Sequence, residues 1–192
     1  MDDKILFMDV ETGGLDPEVN SLLTVSFSVY KNGKVLGSRD FFIKHDVYNV
    51  TVQALEVNHI NLIELDKIAI PANTVVKEII SFIRNNSKLG ELPVVAGHGI
   101  DFDIRFLDKL FRDNGEKLSD YISHRKLDTC SIINFLKYTG KIDIKSASLE
   151  SAIEYFNVDT NGRHVSRDDV DATIKVYEKL NELINEQGVE IK

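Results

Sequence analysis

Three groups of acidic residues in this chain have types and spacings suited to binding a divalent cation. The first lies in the segment Asp-Val-Glu-Thr-Gly-Gly-Leu at residues 9–15. Side chains two positions apart on a strand point to the same side, so Asp9 and Glu11 project together at the end of an apolar run. Two carboxylates held this close repel each other and are costly to bury without a cation between them. A solvated strand end is the alternative for this pair taken alone.

The second group is Gly-His-Gly-Ile-Asp-Phe-Asp at residues 97–103, which follows a short apolar run and opens a helical pattern. Helical spacing puts Asp103 on the same face as the apolar Phe106 and Leu110, whereas Asp101 falls among polar residues. The helix dipole favours acidic residues in a first turn, so a purely structural role is the alternative for both. A carboxylate on an apolar face still needs a partner, which singles out Asp103.

The third group opens the last helical pattern of the chain. Asp169 shares the apolar face of this helix with Val176, whereas Asp168 and Asp171 share a face with lysines. His164 precedes Asp169 by five residues, in a loop. A lone loop histidine is more often a surface residue than a catalyst, so His164 gains weight only from its place beside Asp169.

Length and composition limit the classes of protein to which these groups can belong. The chain has 192 residues, of which 43% are hydrophobic and 28% charged. This is enough apolar sequence for one domain with a core, and it excludes disordered, collagen-like and coiled-coil classes. No apolar run approaches the ~20 residues of a membrane helix. The first residues lack the pattern of a secretory signal and Cys130 is the single cysteine, so we expect a cytoplasmic protein.

The net charge of the chain bears on its partners. A value of −8 argues against broad electrostatic binding of nucleic acid. However, a site that gathers carboxylates to hold cations contributes to this deficit, and bound divalent cations reverse the sign of the charge locally. The composition therefore leaves open a nucleic-acid substrate that is recognised through cations.

Apolar periodicity indicates the elements that position the three groups. Residues 4–10 read as a buried strand, and residues 22–30 alternate like a half-buried strand. The dipeptide Asn-Gly at residues 32–33 predicts a hairpin that leads to a returning strand at residues 35–43. The remaining elements are a short helix at 53–59, helices at 73–86, 102–111, 132–136, 149–156 and 169–186, and a strand at 93–96. Antiparallel strands followed by strands alternating with helices predict an α/β domain with a mixed sheet.

The order of the three groups resembles the DEDD superfamily of 3′-to-5′ exonucleases, in the DEDDh or DnaQ-like branch that contains polymerase proofreading subunits, oligoribonuclease and ribonuclease T. Residues 9–17 resemble the first family motif almost residue for residue, and residues 97–103 resemble the second, Gly-His-Asn-x-x-Phe-Asp. Residues 164–172 fit the third motif, with histidine in place of the tyrosine of a sister branch. The resemblance implies a ribonuclease H-like three-layer fold over a single domain of residues 1–192, with its core at residues 4–186. Its sheet would be mixed and five-stranded, three antiparallel strands and then two parallel ones, flanked by helices.

The resemblance also implies an activity and a set of site residues. The activity is metal-dependent removal of nucleoside 5′-monophosphates from the 3′ end of single-stranded DNA or RNA. Two divalent cations, Mg²⁺ or Mn²⁺, about 3.5–4 Å apart can activate a water molecule and neutralise the leaving 3′ oxygen. The implied catalytic residues are four metal ligands, among which Asp9 bridges the metals, and a histidine general base: Asp9, Glu11, Asp103, Asp169 and His164. The implied substrate-binding residues are Thr12, Gly13, Gly14, Leu15, His98 and Phe102.

One residue departs from the family pattern, and several alternatives stay open. Gly99 stands where the family has asparagine, so a side-chain amide that would order the second motif is missing. The alternative function is a catalytically weak nucleic-acid-binding or polymerase-associated module on the same fold, although the presence of all four carboxylates and the histidine argues against it. The expected partners are the 3′ end of a single strand, a second copy in a homodimer and a polymerase, with no membrane. The sequence does not distinguish DNA from RNA.

Overall fold

A mixed six-stranded sheet lies at the centre of the computed structural model, which describes residues 4–160 and 166–186. The strands are β1 (Ile5–Thr12), β2 (Leu22–Lys31), β3 (Lys34–Lys44), β4 (Ile70–Pro71), β5 (Val94–Gly97) and β6 (Lys126–Asp128). Their order across the sheet is β4-β3-β2-β1-β5-β6. The first three strands pair antiparallel, and β5 and β6 continue the sheet in parallel. The predicted mixed sheet is confirmed, and the two-residue β4 is an addition at the edge of β3.

The described residues contain seven α-helices. They are α1 (Val52–Asn58), α2 (Leu62–Ile68), α3 (Ala72–Asn86), α4 (Asp101–Asp113), α5 (Thr129–Tyr138), α6 (Leu149–Tyr155) and α7 (Ser166–Glu186). All the predicted helices are present, whereas α2 was not predicted because it buries only Leu65 and so has no apolar stripe. Within the part of the chain that the structure describes, no helix is both long and apolar enough to cross a membrane.

The turn between β2 and β3 has the backbone geometry that its sequence predicts. Asn32 and Gly33 both have positive φ angles, 50° and 76°. A two-residue hairpin whose twist matches its strands needs this conformation at both positions, and Asn-Gly is the dipeptide that adopts it most readily. From this turn Lys31 pairs with Lys34 and Tyr30 with Val35, and a register shift between Val29 and Tyr30 then brings Ser26 opposite Asp40.

The main hydrophobic core lies on one face of the sheet, beneath α3 and α4. The ring centroids of Phe27 and Phe41 are 6.1 Å apart, and Phe82 of α3 packs 6.0 Å from Phe27. All the apolar residues that predicted the α3 stripe are buried: Val75, Val76, Ile79, Ile80 and Ile83. Because α4 packs into the same core through Phe106 and Leu107, the position of its first turn is fixed against the sheet.

The opposite face of the sheet is also covered, which corrects the prediction that β2 is half-buried. Nine of the ten residues of β2 are buried, including the polar Thr24, Ser26 and Ser28. These three side chains face α7, whose Val170 packs with Phe7 of β1 in a second apolar cluster. Alternation of apolar and polar residues therefore marked the two faces of β2 correctly but did not show that a helix covers the polar one.

Candidate active site

The C-terminal half of β1 presents two carboxylates on one side of the sheet. Asp9 lies opposite Ser26 of β2, and Glu11 lies opposite Thr24. On its other edge β1 pairs with β5 only from Ile5 to Phe7. From Met8 onward β1 therefore has an open edge on this side, where side chains of other elements can approach it.

The first turn of α7 brings a third carboxylate to this strand end. Donor oxygens of Asp9, Glu11 and Asp169 all lie within 4.8 Å of one another. The neighbouring Asp168 and Asp171 line a different hollow, whose other wall includes Val35 and Ser38 of β3. The helical phase read from the sequence predicted that Asp169, rather than its acidic neighbours, faces inward, and Asp169 is the residue of this turn that lies beside Asp9 and Glu11.

Asp103 of α4 approaches β1 at its open edge. Its side chain is buried, and its Oδ1 accepts a hydrogen bond of 3.0 Å from the backbone N–H of Val10. Asp103 does not belong to the group of three whose donor oxygens lie within 4.8 Å of one another. The negative charge of Asp103 nevertheless acts on this group, because it raises the pKa of both Asp9 and Glu11. The structure thus gathers all four predicted carboxylates at one strand end.

The electrostatics of these carboxylates are those of a cation site. Burial is the largest cause that raises the pKa of Glu11 to about 8, followed by the charges of Asp169 and Asp103. Burial likewise raises the pKa of Asp103 to about 8, against the lowering effect of the hydrogen bond from Val10. The pKa of Asp9 lies well above its usual range, through burial and then repulsion from the other carboxylates. Hard oxygen donors with this unrelieved repulsion fit Mg²⁺ or Mn²⁺.

An open apolar cleft of about 690 Å³ begins beside Glu11. The side chains of Leu15, Val57 and Phe102 line it, and Leu15 is 81% exposed. Phe102 packs its ring 5.0 Å from Phe106, so the core holds it in place. An exposed leucine and a partly buried aromatic ring beside a charged site offer a surface on which a nucleobase can pack.

The loop after β1 owes its two glycines to close packing. A Cβ at Gly13 would lie 2.2 Å from the carbonyl oxygen of Asn49, and one at Gly14 would lie 2.4 Å from Oδ1 of Asn20. Thr12, which precedes them, donates a hydrogen bond of 2.7 Å from its hydroxyl to the carbonyl of Gly14. These contacts hold the loop and so place Leu15 at the cleft.

His98 joins three segments of the protein. One ring nitrogen, Nδ1, lies 2.9 Å from the Thr129 hydroxyl, and Nε2 lies 2.8 Å from the Ala147 carbonyl oxygen. Burial lowers the pKa of the imidazole. Both ring nitrogens are used within the protein, so any influence of His98 on a substrate acts through these segments.

Gly99, the departure from the family pattern, has a physical explanation. Its φ is +74°, in the left-handed region that glycine and asparagine adopt most readily. The Asp128 carboxylate accepts a hydrogen bond of 2.7 Å from the Gly99 N–H and one of 3.1 Å from the Cys130 N–H. Asp128 therefore orders this loop without a side-chain amide at residue 99.

Asn58 is a residue of the site that the sequence analysis missed. It is the only buried residue of α1, and its Nδ2 donates a hydrogen bond of 3.1 Å to the Thr12 carbonyl. Its Oδ1 accepts one from the Ile60 N–H, also at 3.1 Å. Asn58 thus ties the cleft wall formed by α1 to the end of β1.

The predicted general base, His164, lies outside the described residues.

Comparison with known proteins identifies exonucleases and polymerases as relatives of this chain. The RNase_T family model, which represents exonucleases, matches residues 6–177. The PolC-type DNA polymerase III of Mycoplasmopsis pulmonis is 26% identical over 138 residues, which are 70% of this chain and 9% of that protein. The corresponding polymerase of Ureaplasma parvum is 24% identical over 188 residues, 96% of this chain and 12% of that protein. The chain therefore spans about a tenth of the length of these relatives.

Solved structures share the fold. E. coli Exonuclease I in complex with a dT13 oligonucleotide superposes with a TM-score of 0.84 at 17% identity, over 96% of this chain and 42% of that one. The zinc-bound form of its complex with single-stranded DNA gives 0.81 at 19% identity, over the same shares of the two chains. The predicted ribonuclease H-like fold is thereby confirmed. With the family model matching nearly the whole chain, this protein belongs to the DnaQ-like family of 3′-to-5′ exonucleases.

Proposed function

We propose that this chain is a metal-dependent 3′-to-5′ exonuclease that removes nucleoside 5′-monophosphates from the end of a single strand. The convergence of Asp9, Glu11 and Asp169 within 4.8 Å, beside an open apolar cleft, is the observation that carries this proposal. Asp103 adds a fourth carboxylate to the same strand end. Membership of the exonuclease family supports the same activity.

Asp9, Glu11, Asp103 and Asp169 would hold the metal. When bound, two divalent cations supply positive charge that stabilises the developing charge on the phosphate and the leaving oxygen and lowers the pKa of a water molecule. Two of the four side chains come from β1, within the sheet. The other two come from α4 and α7, which pack on opposite faces of the sheet. The protein therefore presents its ligands in a preformed arrangement.

The proton of the attacking water needs an acceptor, and we assign this role to His164. An imidazole has an ordinary pKa near the working pH, as a general base requires. The water oxygen forms a bond to phosphorus, the bond from phosphorus to the 3′ oxygen breaks, and the proton passes to His164. Its place five residues before Asp169 in the sequence supports this assignment.

The shape of the cleft favours a single-stranded end as substrate. Leu15 projects from its loop and is mostly exposed, so it can pack against a terminal base without disturbing the core. Phe102 offers an aromatic ring to the same cleft. The loop contacts of Gly13 and Gly14 keep Leu15 close to the carboxylates.

Labelled oligonucleotides test the proposal directly. DNA and RNA single strands labelled at the 5′ end should give a ladder of products that shorten one nucleotide at a time, in Mg²⁺ or Mn²⁺ and not in EDTA. Strands labelled at the 3′ end should release labelled mononucleotide first. Blunt duplexes should be poor substrates. Cleavage of a circular single strand, or full activity in EDTA, would exclude a metal-dependent exonuclease.

The partners and the cellular location of the protein are further proposals. The similarity to PolC-type polymerases supports association with a polymerase, which co-purification with the host replicative polymerase would test. The homodimer and the cytoplasmic location stay predictions from the sequence. Sedimentation of the purified protein and cell fractionation would test them.

A further inference from the structure

The first turn of α7 is held on the sheet by polar contacts. Ser166 is almost fully buried, and its hydroxyl lies 3.0 Å from the Thr24 hydroxyl and 2.7 Å from that of Ser26. Both partners belong to the polar face of β2. Apolar packing of the helix on the sheet begins later, at Val170 and Ile174. The part of α7 that precedes and carries Asp169 therefore depends on hydrogen bonds for its position.

Arg167 is the centre of these contacts. Its Nη1 donates hydrogen bonds of 3.0 Å to the Phe27 carbonyl and 2.7 Å to the Ser28 hydroxyl. Its Nη2 donates one of 2.5 Å to Oδ1 of Asp40 on β3, and the Ser26 hydroxyl donates to the same oxygen at 2.7 Å. The side chain of Arg167 is only 20% exposed. A planar fork that reaches three acceptors on two strands fixes orientation in a way that a single ion pair does not.

Strand register connects these contacts to the carboxylate cluster. Asp40 of β3 lies opposite Ser26 of β2, and Ser26 lies opposite Asp9 of β1. Residues that are directly opposite each other in neighbouring strands project from the same face of a sheet. The first turn of α7 crosses this row, with Arg167 over Asp40 at one end and Asp169 beside Asp9 at the other.

We propose that Arg167 and Asp40 are positioning residues that hold Asp169 against the carboxylates of β1 for metal binding and catalysis. Three carboxylates within 4.8 Å push the start of α7 away from β1, and the contacts of Arg167 two residues earlier oppose that movement. This role rests on the proposed function and adds to it two residues that touch neither metal nor substrate.

Arg167→Met tests the role, because methionine keeps an apolar stem and removes every donor. Arg39→Met is the matched control: Arg39 is the neighbour of Asp40 on β3, and its ion pair of 2.6 Å with Glu78 of α3 lies away from α7. We expect Arg167→Met to lower kcat by about tenfold or more, since small misplacements of catalytic groups are costly. KM should change little, because the cleft is intact. The dissociation constant for Mn²⁺, measured by calorimetry, should rise several-fold.

Two further variants make the test independent of folding yield. Asp40→Asn leaves an acceptor for Arg167 but removes the charge, and Arg167→Lys keeps the charge but loses the fork. We expect both to fall between wild type and Arg167→Met in kcat and in Mn²⁺ affinity. They decide the question by the same two measurements if Arg167→Met does not fold.

The positioning role is wrong if Arg167→Met has a kcat and a Mn²⁺ dissociation constant within twofold of those of the Arg39→Met control. If its melting temperature is lowered at the same time, the contacts of Arg167 are merely structural. A wild-type protein that degrades no oligonucleotide would refute the proposed function instead, and the Mn²⁺ affinities would still decide the role of Arg167.

Discussion

Replacement of Asp169 by asparagine should stabilise the metal-free protein while abolishing catalysis. The carboxylate of Asp169 has a donor atom within 4.8 Å of those of Asp9 and Glu11. After burial, its charge is the next cause that raises the pKa of Glu11 to about 8. Asparagine keeps the shape and removes the charge, so the pKa of Glu11 should fall toward its ordinary value and ionisation within the fold should cost less.

The pKa of Glu11 gives the size and the pH dependence of the effect. Its pKa is about 8 in the folded protein against an ordinary value of 4.5. The folded state therefore holds this proton more tightly, and the stability that results is present in acid and is lost as the pH rises through 8. At pH 7 the lost stability is about 3 kcal/mol; burial is its largest cause and Asp103 shares the remainder, so we assign about 1 kcal/mol to Asp169. For a chain of this length that is a rise of roughly 2–4 °C in melting temperature.

Thermal unfolding followed by circular dichroism measures this effect. In EDTA, Asp169→Asn should melt above wild type at pH 8 and close to it at pH 5, where Glu11 of wild type still holds its proton. Added Mg²⁺ should raise the melting temperature of wild type far more than that of the variant. Asp168→Asn is the control, since Asp168 is one residue earlier and lines a different hollow. Exonuclease activity should fall by orders of magnitude in Asp169→Asn and stay near wild type in Asp168→Asn; the reverse pattern would refute the assignment of α7 residues to the site.

The remaining predictions concern the base, the loop and the cleft. His164→Ala should lower kcat by about 10²–10⁴, as expected for loss of a general base, and leave the Mn²⁺ affinity measured by calorimetry unchanged. Gly13→Ala should cost about 1–3 kcal/mol in denaturant unfolding because its Cβ meets the Asn49 carbonyl, whereas Gly37→Ala, with open space around it, should cost little. Leu15→Ala should raise KM for a single strand without lowering the melting temperature; an unchanged KM would remove Leu15 from the substrate site.

The positions of the candidate site residues were predicted from the sequence more completely than the strands of the sheet. Period-two spacing placed Asp9 and Glu11 on one side of β1, and helical phase separated Asp103 and Asp169 from their acidic neighbours. These inferences succeeded because each depends on the geometry of a single element. The same local reasoning found the hairpin at Asn32-Gly33, where two residues determine the turn.

Features that depend on contacts between distant segments were not readable from local pattern. The buried polar face of β2 is covered by α7 through hydroxyl groups, which hydrophobic periodicity does not register. Asn58 has the sequence context of a surface residue at the end of a short helix, and only its hydrogen bond to the Thr12 carbonyl shows its role. The helix α2 has a single buried side chain, and β4 has only two residues, so neither produces a pattern.

The two sides of the cleft differ in how firmly they are attached to the rest of the molecule. The carboxylates of Asp9 and Glu11 sit on β1, which pairs with β2 along its whole length and has packed helices on both faces. The opposite wall, α1, buries only Asn58. Local opening of such a helix breaks few contacts and so requires far less free energy than global unfolding, the behaviour seen as fast amide hydrogen exchange in separate cooperative units. We therefore expect the amides of α1 to exchange faster than those of β1, so that this wall of the cleft is more adaptable than the strand that carries the carboxylates.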